Sequence, residues 1–516
     1  MAYSMILVGI LTEYTGEEIL SQCLVMGPYL LSLGLSSAFG DRILPHERLR
    51  AVWNFEWLSV IVLPLVPLAL TLSIFIYTNL ADTDAGLSTL SGNRVLFVIS
   101  GGFAFITGLF GGAQLPLILK DLGEASEEKI LSLNYLGPLL ASVSIVQMNT
   151  HAFSLALQIY IIGIIQLFGL LLLLLVSNRP KKVQALTLLF IPLLLLFFTG
   201  FILPRLEHLT IKSAYLKTRT SISQLLRPTH LLNLLGRYGS VERVRTPYQT
   251  IDLFIEPPAP EYSAPGNASV YLNRKPQFDL FSVAVYHESM VFGGINLLQR
   301  KPDSVLILGA GDGLLLKELK RIEGIQKITM IELDPQMLQW SATNPVVSGL
   351  NEGSLSNLAP NVDLKIGDAI TFLRSNSKKY DLVFVDFPFP DGHDLSKLYS
   401  HEFYRLLRQA IGADSVVLID LPLYIDKKGK LSMESQVILK TMKHAGLGDP
   451  LLFGPSASFV ALRGTGAKPQ FEYDQFPESL KLATYLNFAS PFREDEVNES
   501  EWAEIPVNSM FWPRGL

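Results

Sequence analysis

The feature that most constrains this chain is a series of long apolar runs in its first 203 residues. They cover Leu20–Phe39, Trp53–Tyr77, Val95–Leu119, Leu131–Met148, Phe153–Val176 and Ala185–Leu203. A helix needs roughly 20 mostly apolar residues to cross the hydrocarbon of a bilayer, and each run meets that length. A seventh stretch, Met5–Leu11, is short and ends at Thr12-Glu13; it spans only if Glu13, Glu17 or Glu18 sits near an interface. Leucine runs such as Leu170–Val176 and Leu188–Phe198 argue against a set of ordinary buried core helices. The reading is a multi-pass α-helical membrane domain in a cell membrane, with lipids as its surroundings. Trp53, Trp57 and Tyr77 lie near run ends, where interface anchors belong. Glu56 lies close enough to its helix start to snorkel.

Charge marks the boundary. Asp, Glu, Lys and Arg occur 21 times in residues 1–203 and 68 times in the remaining 313 residues. The spans give 1–204 as the membrane domain and 205–247 as a basic juxtamembrane segment, with Ser221–Leu235 as an interfacial helix. Orientation is contested. Arg42, Arg48 and Arg50, then Lys120 and Lys129, then Arg179, Lys181 and Lys182 fall on one face, which the positive-inside rule makes cytoplasmic. Arg205, Lys212, Lys217 and Arg219 follow the last span and argue for the opposite face. The reading adopted follows these four and puts the C-terminal domain on the cytoplasmic side. The net charge of -5 speaks against a nucleic-acid partner. The single cysteine, Cys23, and eight histidines without ligand spacing suggest no metal site.

From residue 301 short apolar strands alternate with helical segments: Val305–Leu308, Lys327–Ile331, Val362–Ile366, Leu382–Val385 and Val416–Ile419. This rhythm predicts a Rossmann-like α/β domain over 301–465 with a mostly parallel sheet. A β-rich patch over 248–300 precedes it and an extension over 466–516 follows. The first strand runs into Gly309-Ala-Gly311-Asp312-Gly313 and then a helix. Glycines there let the backbone pass close to a ligand, and a helix start offers free N–H groups. The second strand ends in Glu332-Leu-Asp334, about 20 residues on, where such folds place the carboxylate that grips ribose hydroxyls. Gly367-Asp368-Ala369 follows the third strand and Asp386 ends the fourth. Each acid alone could cap a helix; four at successive strand ends point to a nucleoside site.

These motifs resemble those of the spermidine synthases, the polyamine aminopropyltransferases, and in particular their membrane-fused relatives. The resemblance covers roughly Tyr248 to Leu447. It runs through Tyr248-Gln249, Leu272 to Gln277, Tyr286-His287-Glu288, the glycine turn, Glu332 to Asp334, Gly367-Asp368, Asp386 and Leu398-Tyr399-Ser-His-Glu402-Phe403-Tyr404. Gly111-Gly112-Ala-Gln-Leu-Pro116 and Asn134-Tyr135-Leu-Gly137 look like the membrane half of that fused group. The resemblance implies decarboxylated S-adenosylmethionine as donor, a small-molecule amine as acceptor, and methylthioadenosine as product. It implies that Glu332 binds the ribose and Asp368 the adenine amino group. Gly309, Gly311, Gly313 and Ala369 would line the nucleoside, and Asp312 would hold the aminopropyl nitrogen. Gln249, Gln277, Tyr286 and His287 would line the donor and amine pocket, with Asp386 as general base.

Three departures bear on the acceptor. Phe389 stands where the resemblance expects a second acid, Ser282-Val283 replaces an acidic pair, and Phe453-Gly454-Pro455-Ser456 lacks an expected tyrosine. An apolar pocket solvates a doubly charged diamine poorly, so ordinary putrescine is disfavoured. Two other readings remain open from the residues. One is an enzyme acting on intact S-adenosylmethionine, by lyase-type cleavage or methyl transfer; the other is a membrane transporter or sensor that only binds the nucleoside. Assembly into a homo-oligomer is left open too.

Overall fold

A computed structural model describes residues 1–15, 18–43, 48–80, 90–122, 127–150, 153–176, 190–216, 239–256, 266–388, 390, 393–421, 431–453, 458–470 and 505–511, with Arg227 and Thr229. The chain forms two compact units. One holds Met1–Asn267 and Tyr271–Lys275, the other Ala268–Val270 and Pro276–Leu516.

The first unit is built on seven helices among the described residues: Ala2–Thr15, Glu18–Ile43, Arg48–Leu80, Leu90–Leu122, Glu127–Thr150, Leu155–Val176 and Phe190–Leu216. Five contain stretches long and apolar enough to cross a membrane: Leu20–Phe39, Glu56–Thr78, Val95–Ala113, Leu155–Leu172 and Phe190–Tyr215. The run expected at Leu131–Met148 is helical but is not among these five. The short first stretch is too brief to span, and its Ile6, Leu7, Ile10 and Leu11 are buried in the apolar core of the unit. Helix Glu18–Ile43 packs along Leu90–Leu122 through small residues. A Cβ at Gly108 would meet the Tyr29 carbonyl oxygen at 2.2 Å, and one at Gly112 the Leu33 carbonyl oxygen at 2.1 Å. Glycine one turn apart is what lets two backbones approach so closely.

The expected boundaries at 204 and 247 do not coincide with the folded elements. Helix Phe190–Leu216 continues through 204, and strand β1 (Ser240–Arg245) pairs antiparallel with β2 (Thr250–Ile255) within the first unit. The physical reason is a buried ion network. Arg243 makes a two-pronged bond to Asp252, Nε to Oδ1 and Nη2 to Oδ2, both 2.6 Å. It also pairs with Glu13. Arg245 pairs with Glu13 at 2.9 Å and with Glu207, and the Tyr215 hydroxyl donates to Asp252. These bonds tie the hairpin to helices Ala2–Thr15 and Phe190–Leu216. The proposed interfacial helix Ser221–Leu235 lies outside the described residues, apart from Arg227 and Thr229. The β-rich patch continues in β3 (Ala268–Leu272) and β4 (Lys275–Asp279), and the division between the units falls within both strands.

The second unit is organised by a seven-stranded sheet of β5 (Ser304–Gly309), β6 (Lys327–Glu332), β7 (Val362–Ile366), β8 (Tyr380–Asp386), β9 (Ile411–Asp420), β10 (Leu451–Phe453) and β11 (Phe459–Arg463). Their order is β10-β11-β9-β8-β5-β6-β7. The five expected strands are all present and mutually parallel, while β11 and β10 add an antiparallel edge that the alternation did not reveal. Helices cover the sheet, so Val305, Leu306, Ile307 and Leu308 are all fully buried and read as one apolar run. Helix Val283–Leu298 lies close against the sheet at Gly294, where a Cβ would stand 2.5 Å from Leu418. Part of the C-terminal extension docks on helix His401–Gln409: Glu402 accepts from Ser509 Oγ at 2.7 Å and from the Met510 amide at 2.9 Å.

The chain leaves β5 toward one edge through β6 and β7, then returns to β8 on the other side. The strand order therefore reverses between β5 and β8. Open α/β sheets bind ligands in the crevice at such a reversal, beyond the carboxyl ends of the strands.

Candidate active site

The site is built at that reversal. Gly309 is the last residue of β5 and pairs in register with Asp386, the last residue of β8. Gly309 adopts a φ of +89°, and a Cβ there would lie 2.0 Å from the Asp386 carbonyl oxygen. Only glycine fits the turn without pushing the two strands apart. The turn closes with Asp312, whose Oδ1 accepts at 2.9 Å the amide of Leu314, the first residue of helix Leu314–Lys320. Its other oxygen, Oδ2, faces His287 Nε2 at 3.9 Å.

Glu332 closes β6 and is 8% exposed. Its Oε1 accepts the Asp334 amide at 2.8 Å. A Cβ at Gly311 would come within 2.9 Å of Oε2, so the missing side chain leaves a cradle directly against the carboxylate. Burial raises the Glu332 carboxyl to about 7; the Asp334 amide opposes the shift, and the acids Asp334 and Asp312 add to it. Asp334 caps the next helix through the Gln336 amide. Asp368 caps helix Ala369–Ser375, and its Oδ1 accepts from both the amide and the hydroxyl of Thr371 at 2.7 Å. Ala369 is buried as the first residue of that helix.

Helix Val283–Leu298 carries Tyr286, His287 and Glu288. His287 Nδ1 lies 2.8 Å from the Val283 carbonyl, which can only accept, so Nδ1 carries a proton and Nε2 faces Asp312. Glu288 instead pairs with Arg321. The Tyr286 hydroxyl donates to Asp420, the last residue of β9. Asp420 is the site residue that sequence reasoning passed over. The rule that selected the acids after the first four strands applies to it as well, because it directly follows Val416–Ile419.

Asp386 and Asp420 end the neighbouring parallel strands β8 and β9. Burial raises both carboxyls, and the charge of Asp420 and then that of Asp312 raise Asp386 further. One oxygen each of Asp312 and Asp386 and one ring nitrogen of His287 lie within 4.8 Å of one another. That spacing suits a cationic group, and the primary ammonium of an aminopropyl chain is of that kind. Downstream of Asp386, the Tyr399 hydroxyl donates to the Pro388 carbonyl at 3.0 Å and so anchors the segment after β8.

Gln277 lies exposed on β4, and Gln249 sits at the β1–β2 turn of the first unit, where its carbonyl accepts the Thr246 amide at 2.9 Å. Ser282 is used in the turn before its helix, donating to Asp279 at 2.9 Å. Phe389 and residues 454–457 lie outside the described residues.

A mixed sheet with a parallel core, a glycine turn at its reversal and acids at successive strand ends defines a Rossmann-like α/β domain. Within that class, residues 283–433 match the family described as "Spermine/spermidine synthase domain". The chain is 37% identical over 208 residues to "Polyamine aminopropyltransferase 1" of Streptomyces coelicolor, which covers 39% of this chain and 37% of that protein. It is 27% identical over 533 residues to "Polyamine aminopropyltransferase 2" of Aquifex aeolicus, covering 98% of this chain and 94% of that one. A crystal structure of spermidine synthase in complex with the transition-state analogue AdoDATO aligns over 51% of this chain and 84% of its own, with 16% identity and a TM-score of 0.38. The chain is similar to these polyamine aminopropyltransferases, and the match to the Aquifex protein extends through the N-terminal helices.

Proposed function

We propose that this protein is a membrane-bound aminopropyltransferase that moves the aminopropyl group of decarboxylated S-adenosylmethionine to an amine and releases methylthioadenosine. The observation that carries the reading is the gathering of Asp312, Glu332 and Asp386, from three strand ends, beside His287. Glu332 accepts the ribose hydroxyls through the oxygen that faces the Gly311 cradle. Asp368 accepts the adenine amino group, and Asp312 holds the aminopropyl ammonium. The attacking amine is protonated near neutral pH, with a pKa of ~10, and must lose a proton before it can attack. Asp386 accepts that proton. The nitrogen lone pair then forms the new C–N bond as the C–S bond breaks, and sulfur leaves as a neutral thioether.

The helical unit supports the membrane reading. Val98 is 76% exposed, Phe197 63% and Phe168 59%, all on helices long and apolar enough to cross a membrane. Outward apolar surface of this extent fits lipid better than water. The catalytic unit is assigned to the cytoplasmic side, where the donor is made. An external-side reporter fused after Leu516 should stay silent.

Putrescine is disfavoured as acceptor because Phe389 occupies the expected place of a second acid. The deciding experiment measures methylthioadenosine release by the full chain in nanodiscs, with decarboxylated donor and with or without putrescine. Amine-dependent release supports the class, and Phe389→Asp should improve putrescine use. Rapid putrescine turnover by the unaltered protein would overturn the altered-acceptor reading alone. Release from intact S-adenosylmethionine with no acceptor would overturn the class.

A further inference from the structure

Asp420 stands outside every role assigned above, yet it adjoins two residues that carry one. It ends β9, the strand beside β8, so its side chain emerges at the same carboxyl edge as Asp386. Tyr286 reaches it from helix Val283–Leu298 and donates its hydroxyl proton. A phenol that donates to one carboxylate oxygen fixes that carboxylate's rotamer and favours its ionised form. β8 and β9 run parallel with Val385 opposite Ile419, so the next residues, Asp386 and Asp420, end the two strands side by side. Two neighbouring buried carboxyls hold one proton between them more readily than two negative charges.

We propose that Asp420 is a positioning residue for the proton transfer: with Asp386 it forms a carboxyl pair across β8 and β9 that shares one proton, and Tyr286 holds its outer member in place. The inference rests on the assignment of Asp386 as the base. The resemblance to spermidine synthases implies a second acid three residues after that base, and this chain has Phe389 there. Asp420 brings a second carboxyl to the base from the neighbouring strand instead. It acts through Asp386. A negative neighbour makes Asp386 hold a proton more firmly, which moves a carboxylate toward the proton affinity of the ammonium it must deprotonate. The groups that face Asp386 are Asp420 on β9, Asp312 after β5, Glu332 on β6, and Tyr286 and His287 on helix Val283–Leu298, with Tyr399 from beyond β8. Of these, Asp420 is the charge that raises the proton affinity of Asp386 most.

The test is the pH dependence of kcat/KM for methylthioadenosine release by the full chain in nanodiscs. Asp420→Asn keeps the size and hydrogen-bonding shape of the side chain but removes its charge. The acid limb of the profile should then move to lower pH by about one unit or more, because Asp386 ionises more easily without its neighbour. Tyr286→Phe should move the same limb in the same direction by a smaller amount, because Asp420 without that donor ionises less readily and carries less charge beside Asp386. Methylthioadenosine binding by each variant, measured by calorimetry, establishes that the site is folded. Acid limbs that stay in place in both variants, with binding retained and Asp386→Asn inactive, would overturn the pair while leaving the base assignment standing. Full turnover by Asp386→Asn would overturn the base assignment and the inference together.

Discussion

The two units handle buried charge in opposite ways. In the helical unit, Glu13, Glu207 and Asp252 are each matched to Arg243 or Arg245. In the α/β unit, Asp312, Glu332, Asp386 and Asp420 crowd one sheet edge, and among the described residues no lysine or arginine forms an ion pair with them. Matched buried charges satisfy each other and hold elements together. Crowded charges of one sign cost free energy in the empty protein, because each raises the proton affinity of the next. Such an arrangement is retained where a cationic ligand completes it, and a sulfonium donor with an ammonium tail is that kind of ligand. The first network is therefore read as structural and the second as functional.

The largest effect that would break this contrast is at Asp386. Asp386→Asn should leave methylthioadenosine binding within about threefold and lower turnover by about 10²- to 10⁴-fold, the usual contribution of a positioned base. Comparable losses of binding and turnover would make Asp386 another structural acid. Next in size is the helical network. Arg243→Ala strands the fully buried Asp252 without its cation, a change that typically costs about 3–5 kcal/mol. Thermal unfolding in detergent should show a large drop, and a much smaller one when Asp252 is replaced by leucine in the same chain. If the single change is tolerated, the network is not what ties the hairpin to the helices.

A smaller effect is expected at Glu332. Removing the acceptor of two ribose hydroxyls forfeits charge-assisted bonds of about 1.5–3 kcal/mol, so Glu332→Ala should weaken methylthioadenosine roughly 10- to 100-fold in calorimetry. Equal affinities would misplace the nucleoside. The smallest effect sharpens the same point. Burial lifts Glu332 to about 7, so part of it is protonated in the empty site near neutral pH. The ribose hydroxyls donate to the ionised form. Affinity should therefore increase as pH rises through about 7, by up to roughly tenfold per unit on the acid side, and level off above it. Glu332→Gln should flatten that dependence.

Much of this was legible in the residues. The apolar runs are long enough to demand helices, and the strand-glycine-helix sequence at Gly309–Gly313 fixes a backbone turn locally. The acids at 312, 332, 368 and 386 could be picked out because a parallel strand announces its own carboxyl end. The antiparallel edge was not visible, since β10 has three residues and β11 five, too few for a periodic signal to stand out. The limits of the helical unit were misjudged for another reason. Composition changes after Leu203, but helix Phe190–Leu216 continues because Glu207 and Tyr215 find partners in a hairpin that follows much later in the chain.

The sequence by itself thus determined the kinds of element and the chemistry available to them, because apolar period, glycine turns and strand-end acids act over a few neighbouring residues. Tertiary structure alone decided which acids meet. Asp386 and Asp420 are far apart along the chain and come side by side only because β8 and β9 are neighbours in the sheet. Glu13 and Arg243 are 230 residues apart and meet only through packing. Proton affinity and ion pairing depend on distance in space, and strand order and helix packing set that distance.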